Sequence, residues 1–323
     1  MTVVLEAALK SAILAFLLLT ATAYTVFLER RLLGKFHHRI GPNRVGPFGL
    51  LQPLADGIKL LAKEDFMPRA ADRWVYLAAP LIVMVAALAA YAVIPFGPPI
   101  ELFGRRIHLY LANPSAGILL VLGASSLGVY GLILGGWSSN SKYALLGALR
   151  SAAQVVSYEL AWGLSALSVV LSAGTLSLVG IVEAQQDLWF VLKQPLAFGV
   201  FFLSALAETN RAPFDLPEAE QELIAGYHTE YGGLKFVMFY IAEYVAIITQ
   251  SALTTLLFFG GWLGPGLPGV AWFLLKTVVF VGVFIWIRAT VPRVRYDHLM
   301  GLSWKLLIPL ALGNLVVTSF FVV

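Results

Sequence analysis

The sequence predicts an all-α, polytopic integral membrane protein with eight transmembrane helices and an interfacial amphipathic helix in the first cytoplasmic connector. Composition is the first observation behind this prediction. Of the 323 residues, 59% are hydrophobic and only 12% are charged, and the mean hydropathy is +0.82. The second is that the apolar residues form runs of ~20, the length that crosses ~30 Å of hydrocarbon as a helix. A transmembrane barrel would instead show strands of ~10 residues with alternating polarity.

The apolar runs divide a single membrane domain, 1–323, into eight predicted spans. We place them at about 8–28, 74–95, 113–135, 145–171, 188–207, 235–260, 270–288 and 302–321. The first run is not expected to be a cleavable signal, because Glu6 and Lys10 precede it and no small-residue cleavage site follows it. In the third span the pair Gly131 and Gly135 predicts close packing against another helix.

The basic residues predict the orientation of the chain. Most lysines and arginines fall in the connectors 29–73, 136–144, 208–234 and 289–301. Because lysine and arginine are enriched in cytoplasmic loops, these four connectors are predicted to be cytoplasmic and both termini to lie on the outer side. We therefore expect a multi-pass protein of the bacterial cytoplasmic (inner) membrane, with its chemically dense connectors on one face.

The first connector is the longest and contains the predicted amphipathic helix, at 49–64. Leu50, Leu54 and Ile58 recur at helical spacing and alternate with Asp56 and Lys59. This pattern is typical of a helix that lies at the membrane surface. Such a helix either anchors the connector or also borders a site, and the pattern alone leaves both interpretations open.

The connector after the fifth span is unusually acidic, and Pro213 and Pro217 interrupt any helix there. Within 207–233, Arg211 is the one arginine or lysine. Six carboxylates share this segment: Glu208, Asp215, Glu218, Glu220, Glu222 and Glu230. The segment is either a solvated loop or a site that uses its charge.

Two spans carry a glutamate within the membrane: Glu159 in the fourth span and Glu243 in the sixth. At 100° per residue, Glu159 lies roughly opposite Gln154, so the fourth helix is polar on two sides. Ionised carboxylates are costly inside a membrane and usually functional. One acid could serve as a structural hydrogen-bond anchor. Two of them, together with Glu208 at the end of the fifth span, favour a proton relay.

Several kinds of site are not expected in this chain. The absence of cysteine excludes disulfides, thiolate metal sites and an iron–sulfur cluster held by the chain itself. All five histidines fall in connectors, which does not suit a haem inside the bundle. The sequence has no glycine-rich nucleotide-binding pattern and no patch suited to nucleic acid. We therefore expect no metal, no bound redox cofactor and no catalytic residue.

Long motif blocks extend over nearly the whole chain. They read ERRLLGKFHHRIGPNRVGPFGLLQPLADGIKLLAKED, GWSSNSKYALLGALRSAAQVVSYE, AETNRAPFDLPEAEQELIAGYHTEYGG, AEY at 242–244, and IRATVPRVRYDHLM. In content and order these blocks resemble one family, the quinone-site membrane subunit (NuoH) of proton-pumping NADH–quinone oxidoreductase, respiratory complex I.

The resemblance implies two groups of site residues. Residues that border a quinone chamber would be Glu29, Arg30, Asp56, Arg211, Asp215, Glu218, Glu220, Glu222, Arg288, Arg293, Arg295 and Asp297. Residues that begin a proton path towards antiporter-like pumps would be Glu159, Glu208 and Glu243.

The resemblance also implies cofactors and partners. Quinone, either ubiquinone or menaquinone, would be a substrate, while FMN and iron–sulfur clusters would belong to partner subunits. The expected partners are the soluble quinone-site and terminal iron–sulfur-cluster subunits on the cytoplasmic face, small and antiporter-like membrane subunits, and the lipid bilayer.

Three other functions are alternatives. The first is the homologous subunit of a membrane-bound hydrogenase or formate hydrogenlyase, which reduces no quinone. A secondary transporter would need two halves related by a repeat, and the sequence shows no such repeat. A passive scaffold would leave the glutamates within the spans unexplained.

Overall fold

A computed structural model describes residues 2–102, 105–217 and 223–322, and the described chain is predominantly helical. Its α-helices are α1 (Thr2–Phe36), α2 (Gln52–Leu61), α3 (Arg73–Ala89), α4 (Gly117–Ser138), α5 (Lys142–Ala173), α6 (Leu178–Glu183), α7 (Phe190–Lys193), α8 (Pro195–Glu208), α9 (Gly233–Phe258), α10 (Gly269–Thr290), α11 (Tyr296–Leu302) and α12 (Ile308–Val322). A π-helical turn, Ser303–Leu307, joins α11 to α12. The predicted all-α membrane fold is confirmed.

In the part of the chain that the structure describes, seven helical segments are long and apolar enough to cross a membrane. The predicted fifth span, 188–207, differs from the others because it is divided into α7 and the 14-residue α8. Pro195 begins α8, since proline lacks the N–H needed inside a helix but fits its first turn. At 1.5 Å per residue α8 is only about 21 Å long. The count of eight crossings therefore stays a prediction.

The amphipathic helix is present as α2, and its apolar face is uncovered. Leu54, Ile58 and Leu61 are each at least 60% exposed. The opposite side of α2 turns towards the bundle, where Asp56 contacts α1. An exposed apolar face beside a charged one is the arrangement expected of a helix lying at a lipid surface.

Close packing of α3 against α4 depends on a glycine. A Cβ atom at Gly131 would lie 2.8 Å from the carbonyl oxygen of Ala79, closer than the two helices allow. The predicted tight contact is thus present, and α3 is its partner. Deeper in the bundle, α5, α8 and α9 meet around the fully buried rings of Trp162, Phe201 and Phe258.

The four predicted cytoplasmic connectors contact one another at one end of the bundle. The main-chain N–H of Asp72 donates to Ser138, and that of Val294 donates to Pro213, each over 3.1 Å. Tyr76 donates its hydroxyl proton to the carbonyl of Glu230 over 2.7 Å. We call this end the connector end. These contacts bring the segments together, and their common position on the cytoplasmic side of a membrane stays a prediction.

At the other end a two-stranded hairpin, β1 (Ile100–Leu102) and β2 (Arg105–Ile107), pairs antiparallel. Nearby, Lys276 of α10 is buried and donates to the carbonyl oxygens of Phe259, Gly261 and Leu263, over 2.7, 3.1 and 2.7 Å. Its ammonium also lies 4.5 Å from the ring centroid of Trp189. All three of its donors are thereby used, and a cation sits beside the main-chain carbonyls of the turn that follows α9.

We expect Lys276→Met to destabilise the protein by about 2–4 kcal/mol, because the change leaves buried carbonyl groups without their donor. Thermal denaturation of the purified protein should then shift down by several degrees. Lys193→Met is the matched control, since Lys193 is an exposed lysine at the same end. Equal denaturation temperatures for the two variants would contradict the prediction.

Candidate functional site

A network of buried ion pairs lies at the connector end. Arg211, in the connector after α8, contacts Glu243 of α9 through its Nε and lies 3.7 Å from Glu29 of α1 through Nη1. Arg288, near the end of α10, contacts the same oxygen of Glu29. Glu29 and Arg211 are 4% and 6% exposed. We call these four side chains the ion network; two cations and two carboxylates join four segments that are distant in sequence.

Aromatic rings complete the surroundings of Arg211. Its guanidinium lies 4.3 Å from the ring centroid of Tyr244 and 5.4 Å from that of Tyr240. The two tyrosine hydroxyls are 3.0 Å apart. Burial alone would lower the pKa of Arg211, but the carboxylates of Glu243 and Glu29 raise it well above its ordinary value. Arg211 therefore stays charged at every pH the protein encounters.

Gln154 of α5 holds the connector that carries Arg211. Its side-chain amide donates to the carbonyl oxygens of Ala207 and Phe214, over 2.7 and 2.8 Å, and to Asn210 Oδ1 over 3.2 Å. The residue is fully buried. One amide thus fixes both ends of the turn in which Arg211 sits, a role that the sequence did not predict.

A second charged contact links the first connector to α1. Arg30 donates to Asp56 over 2.5 Å, and Gln52 donates to the other oxygen of Asp56 over 2.9 Å. Arg30 follows Glu29 directly, so this contact and the ion network are neighbours along α1. These hydrogen bonds hold the polar side of α2 next to the ion network, while the apolar side of α2 remains exposed.

A cavity of ≈ 100 Å³ lies inside the bundle between α3, α4, α9 and the end of α8. Glu208 and Glu243 both line it, with Gln250, Thr249 and Asn210 as further polar groups. The remaining wall is formed largely by small apolar side chains of α3 and α4. The structure therefore brings two of the three predicted proton-path residues together at one cavity.

The third predicted proton-path residue, Glu159, lies beside this cavity. It is half-buried on α5 and accepts a hydrogen bond from Ser126 of α4, next to the cavity-lining Ser125. Glu159 and Glu208 are close enough to repel each other electrostatically. The face of α5 that carries Glu159 is distinct from the face that carries Gln154, as the helical angles predict.

The remaining predicted chamber residues are distributed unevenly. Asp215 and Arg293 are half-buried in the connectors that the Val294–Pro213 bond joins. Arg295 and Asp297 form an exposed pair 3.1 Å apart at the start of α11. Three predicted residues lie outside the described residues: Glu218, Glu220 and Glu222.

Gln154, Gln250 and the paired tyrosines of α9 lie beside the ion network or the cavity. The sequence places them among the polar positions of the fourth and sixth spans but predicts no role for them. The pattern that could have identified them is the stripe of polar side chains along α5 and along α9, two helices that are otherwise apolar. Among the described residues no cluster of three or more histidine, aspartate and glutamate side chains is arranged to bind a metal ion.

Fold and site together define a class of protein: a polytopic α-helical membrane protein with titratable side chains inside its bundle, a feature of proteins that move or sense charge. Comparison with known proteins narrows this class. A sequence model of the family described as NADH dehydrogenase matches residues 9–319.

Curated relatives match over almost their full length. An NADH-quinone oxidoreductase H subunit of Geobacter metallireducens is 55% identical over 311 residues, which cover 96% of this chain and 94% of the relative. The H subunit of Protochlamydia amoebophila is 55% identical over 302 residues, covering 94% and 93%. The H subunit of Thermomicrobium roseum is 53% identical over 317 residues, covering 95% and 93%. This chain belongs to the H-subunit family of NADH-quinone oxidoreductases, and the resemblance seen in the motif blocks is confirmed.

We expect Arg211→Leu to cost about 3–5 kcal/mol of stability, the usual effect of removing one partner from a buried ion pair. The double variant Arg211→Leu/Glu243→Gln should recover part of this loss, because the second change removes the charge that Arg211 balanced. Thermal denaturation of the purified protein measures both effects. Strictly additive losses from the two changes would show that the pair is not coupled.

Proposed function

We propose that this membrane subunit of an NADH-quinone oxidoreductase forms much of a quinone-binding chamber at its connector end and couples quinone reduction to proton pumping through buried glutamates. The observation that carries the proposal is the position of Glu243, which contacts Arg211 in the ion network and also lines the cavity inside the bundle. A single carboxylate thus belongs both to the proposed substrate side and to the proposed proton side.

The chamber would lie between the ion network and α2. A quinone has an apolar tail and a head group that becomes charged on reduction. The exposed leucine-rich face of α2 suits the approach of an apolar molecule from the bilayer. The contact of Arg30 with Asp56 borders the same region, and Arg211 and Arg288 supply positive charge behind it. Asp215, Arg293, Arg295 and Asp297 would border the chamber from the other connectors.

The electrostatic balance of the ion network provides a coupling mechanism. Quinone that accepts two electrons takes up two protons to become quinol. Before those protons arrive, its negative charge competes with Glu29 and Glu243 for the arginines. A carboxylate that loses part of its counter-charge binds a proton more tightly. Proton uptake at Glu243 would then act on Glu208 and Glu159 in turn, and so on the path to remote pumps.

In this proposal the subunit has partner subunits on its connector end and beside its helices. Electrons would come from an iron–sulfur cluster in a soluble partner that covers the connector end, and FMN would lie further away in another partner. Antiporter-like and small membrane subunits would pack beside the bundle. The connector end would face the cytoplasm of a bacterium, with the protein in its inner membrane. The relatives' names favour this assignment over the hydrogenase and transporter alternatives.

For the chamber, we expect Asp56→Ala to raise the KM for quinone by about threefold to tenfold, the effect of losing a charge-assisted hydrogen bond. NADH oxidation by the intact complex, measured at a series of quinone concentrations, gives the KM. Asp65→Ala is the control, because Asp65 also pairs with a basic side chain, Lys235 over 3.0 Å, from its place in the first connector. An unchanged KM in Asp56→Ala would remove Asp56 from the chamber.

For the proton path, Glu159→Gln and Glu243→Gln should each reduce proton pumping by about tenfold or more, as expected when a positioned proton carrier is lost. The complex is reconstituted in vesicles, and NADH oxidation and acidification are followed together. Glu183→Gln serves as the control, because Glu183 is an exposed glutamate of α6. Full quinone reduction with full pumping in both test variants would refute the proton path.

A further inference from the structure

Gln250 lies on the same face of α9 as Glu243 but deeper in the bundle. Seven residues separate the two, which places their Cα atoms about 10.5 Å apart along the helix axis and within about 20° in direction. Both side chains line the cavity described above, and Glu208 lines it from the end of α8. Gln250 is 2% exposed. A neutral amide is thus buried at the same cavity as two carboxylates.

Two oxygen atoms at this cavity lack a protein partner. Glu208 Oε2 and Gln250 Oε1 are buried, and neither accepts a hydrogen bond from any residue that the structure describes. A buried acceptor is costly unless a donor satisfies it. Water is the donor that fits, because the cavity is polar on one side and has room for about three molecules at ~30 Å³ each.

We infer that Gln250 is a positioning residue that holds a chain of internal water molecules between Glu208 and Glu243 and extends that chain into the bundle. The inference rests on the proposed function and deepens it by adding a residue that does not titrate. Thr249 and Asn210 border the same space and supply further polar groups. Alanine and glycine residues of α3 and α4 form the opposite wall and leave the space open.

The amide is suited to this task by its chemistry. A glutamine side chain accepts through its oxygen and donates through its nitrogen, so it orients water without storing a proton. An excess proton released by one carboxylic acid passes along the waters, each of which gains one proton and gives up another. The proton finally binds to the other carboxylate, and the waters are unchanged.

The test compares Gln250→Leu with two other variants in the intact complex reconstituted in vesicles. Leucine fills a similar volume but cannot hold water, whereas Gln250→Glu keeps one acceptor oxygen and replaces the amide nitrogen with a second oxygen. Ser251→Ala is the matched control, since Ser251 is the next residue of α9, is fully buried and does not line the cavity. The readouts are NADH oxidation with quinone, acidification of the vesicles, and the ratio of rates in H₂O and D₂O.

We expect Gln250→Leu to lower quinone-coupled turnover and pumping by about tenfold, the scale of a proton transfer step that has lost its positioning. The solvent isotope effect should rise, because proton transfer becomes the slow step, and Gln250→Glu should restore most of the rate. Ser251→Ala should behave as the unchanged protein does. A merely structural role for Gln250 would slow turnover without raising the isotope effect.

Normal turnover and pumping in Gln250→Leu would overturn the inference. So would a slow Gln250→Leu variant with an unchanged isotope effect and no restoration by Gln250→Glu. The parallel Glu243→Gln variant separates the two proposals. If Glu243→Gln is impaired and Gln250→Leu is normal, only the role of Gln250 fails; if Glu243→Gln pumps normally, the proposed function fails and the inference falls with it.

Discussion

The contact of Arg211 with Glu243 and Glu29 is the interaction on which the arrangement of the connector end depends. Each of these groups would be very costly if buried alone, and their mutual contact is what makes the burial tolerable. Because the partners come from α1, α9 and the connector after α8, the contact also fixes how these segments sit together. Gln154 holds the turn that presents Arg211, so a neutral amide on α5 supports the charged network.

Much of the fold follows from properties that the sequence displays directly. A long apolar run must form a helix in a membrane, because no water is available to satisfy its backbone groups. The amphipathic helix α2 and the close helix packing at Gly131 could also be predicted, because each has a local sequence pattern. The division of the fifth span at Pro195 was not predicted, although the sequence contains the proline that begins α8. Hydropathy measures composition over a window and does not respond to one residue that breaks a helix.

The site was predictable in its members but not in its connections. Glu29, Arg211, Glu243 and Arg288 were all expected near one chamber or on the path that leads from it, and the structure joins them in one network. Which arginine contacts which carboxylate depends on how helices pack, and no local pattern encodes that. The neutral residues are recognisable as polar positions within the spans, but their roles could not be predicted for a related reason. Gln154 and Gln250 have ordinary chemistry, and only their burial next to charged groups gives them a role.

Under the proposed function, charge balance would make such a network sensitive to a substrate. The negative charges of Glu29 and Glu243 equal the positive charges of Arg211 and Arg288 in number. A further negative charge nearby would therefore have to be balanced by a change within these four groups or by bound protons. Inside a protein the electrostatic interaction between charges reaches farther than in water, because screening is weak. Glu243 is the member that also opens onto the cavity, where polar groups continue towards Gln250. In the proposed mechanism, a change in charge at the connector end would therefore become a change in proton occupancy inside the bundle.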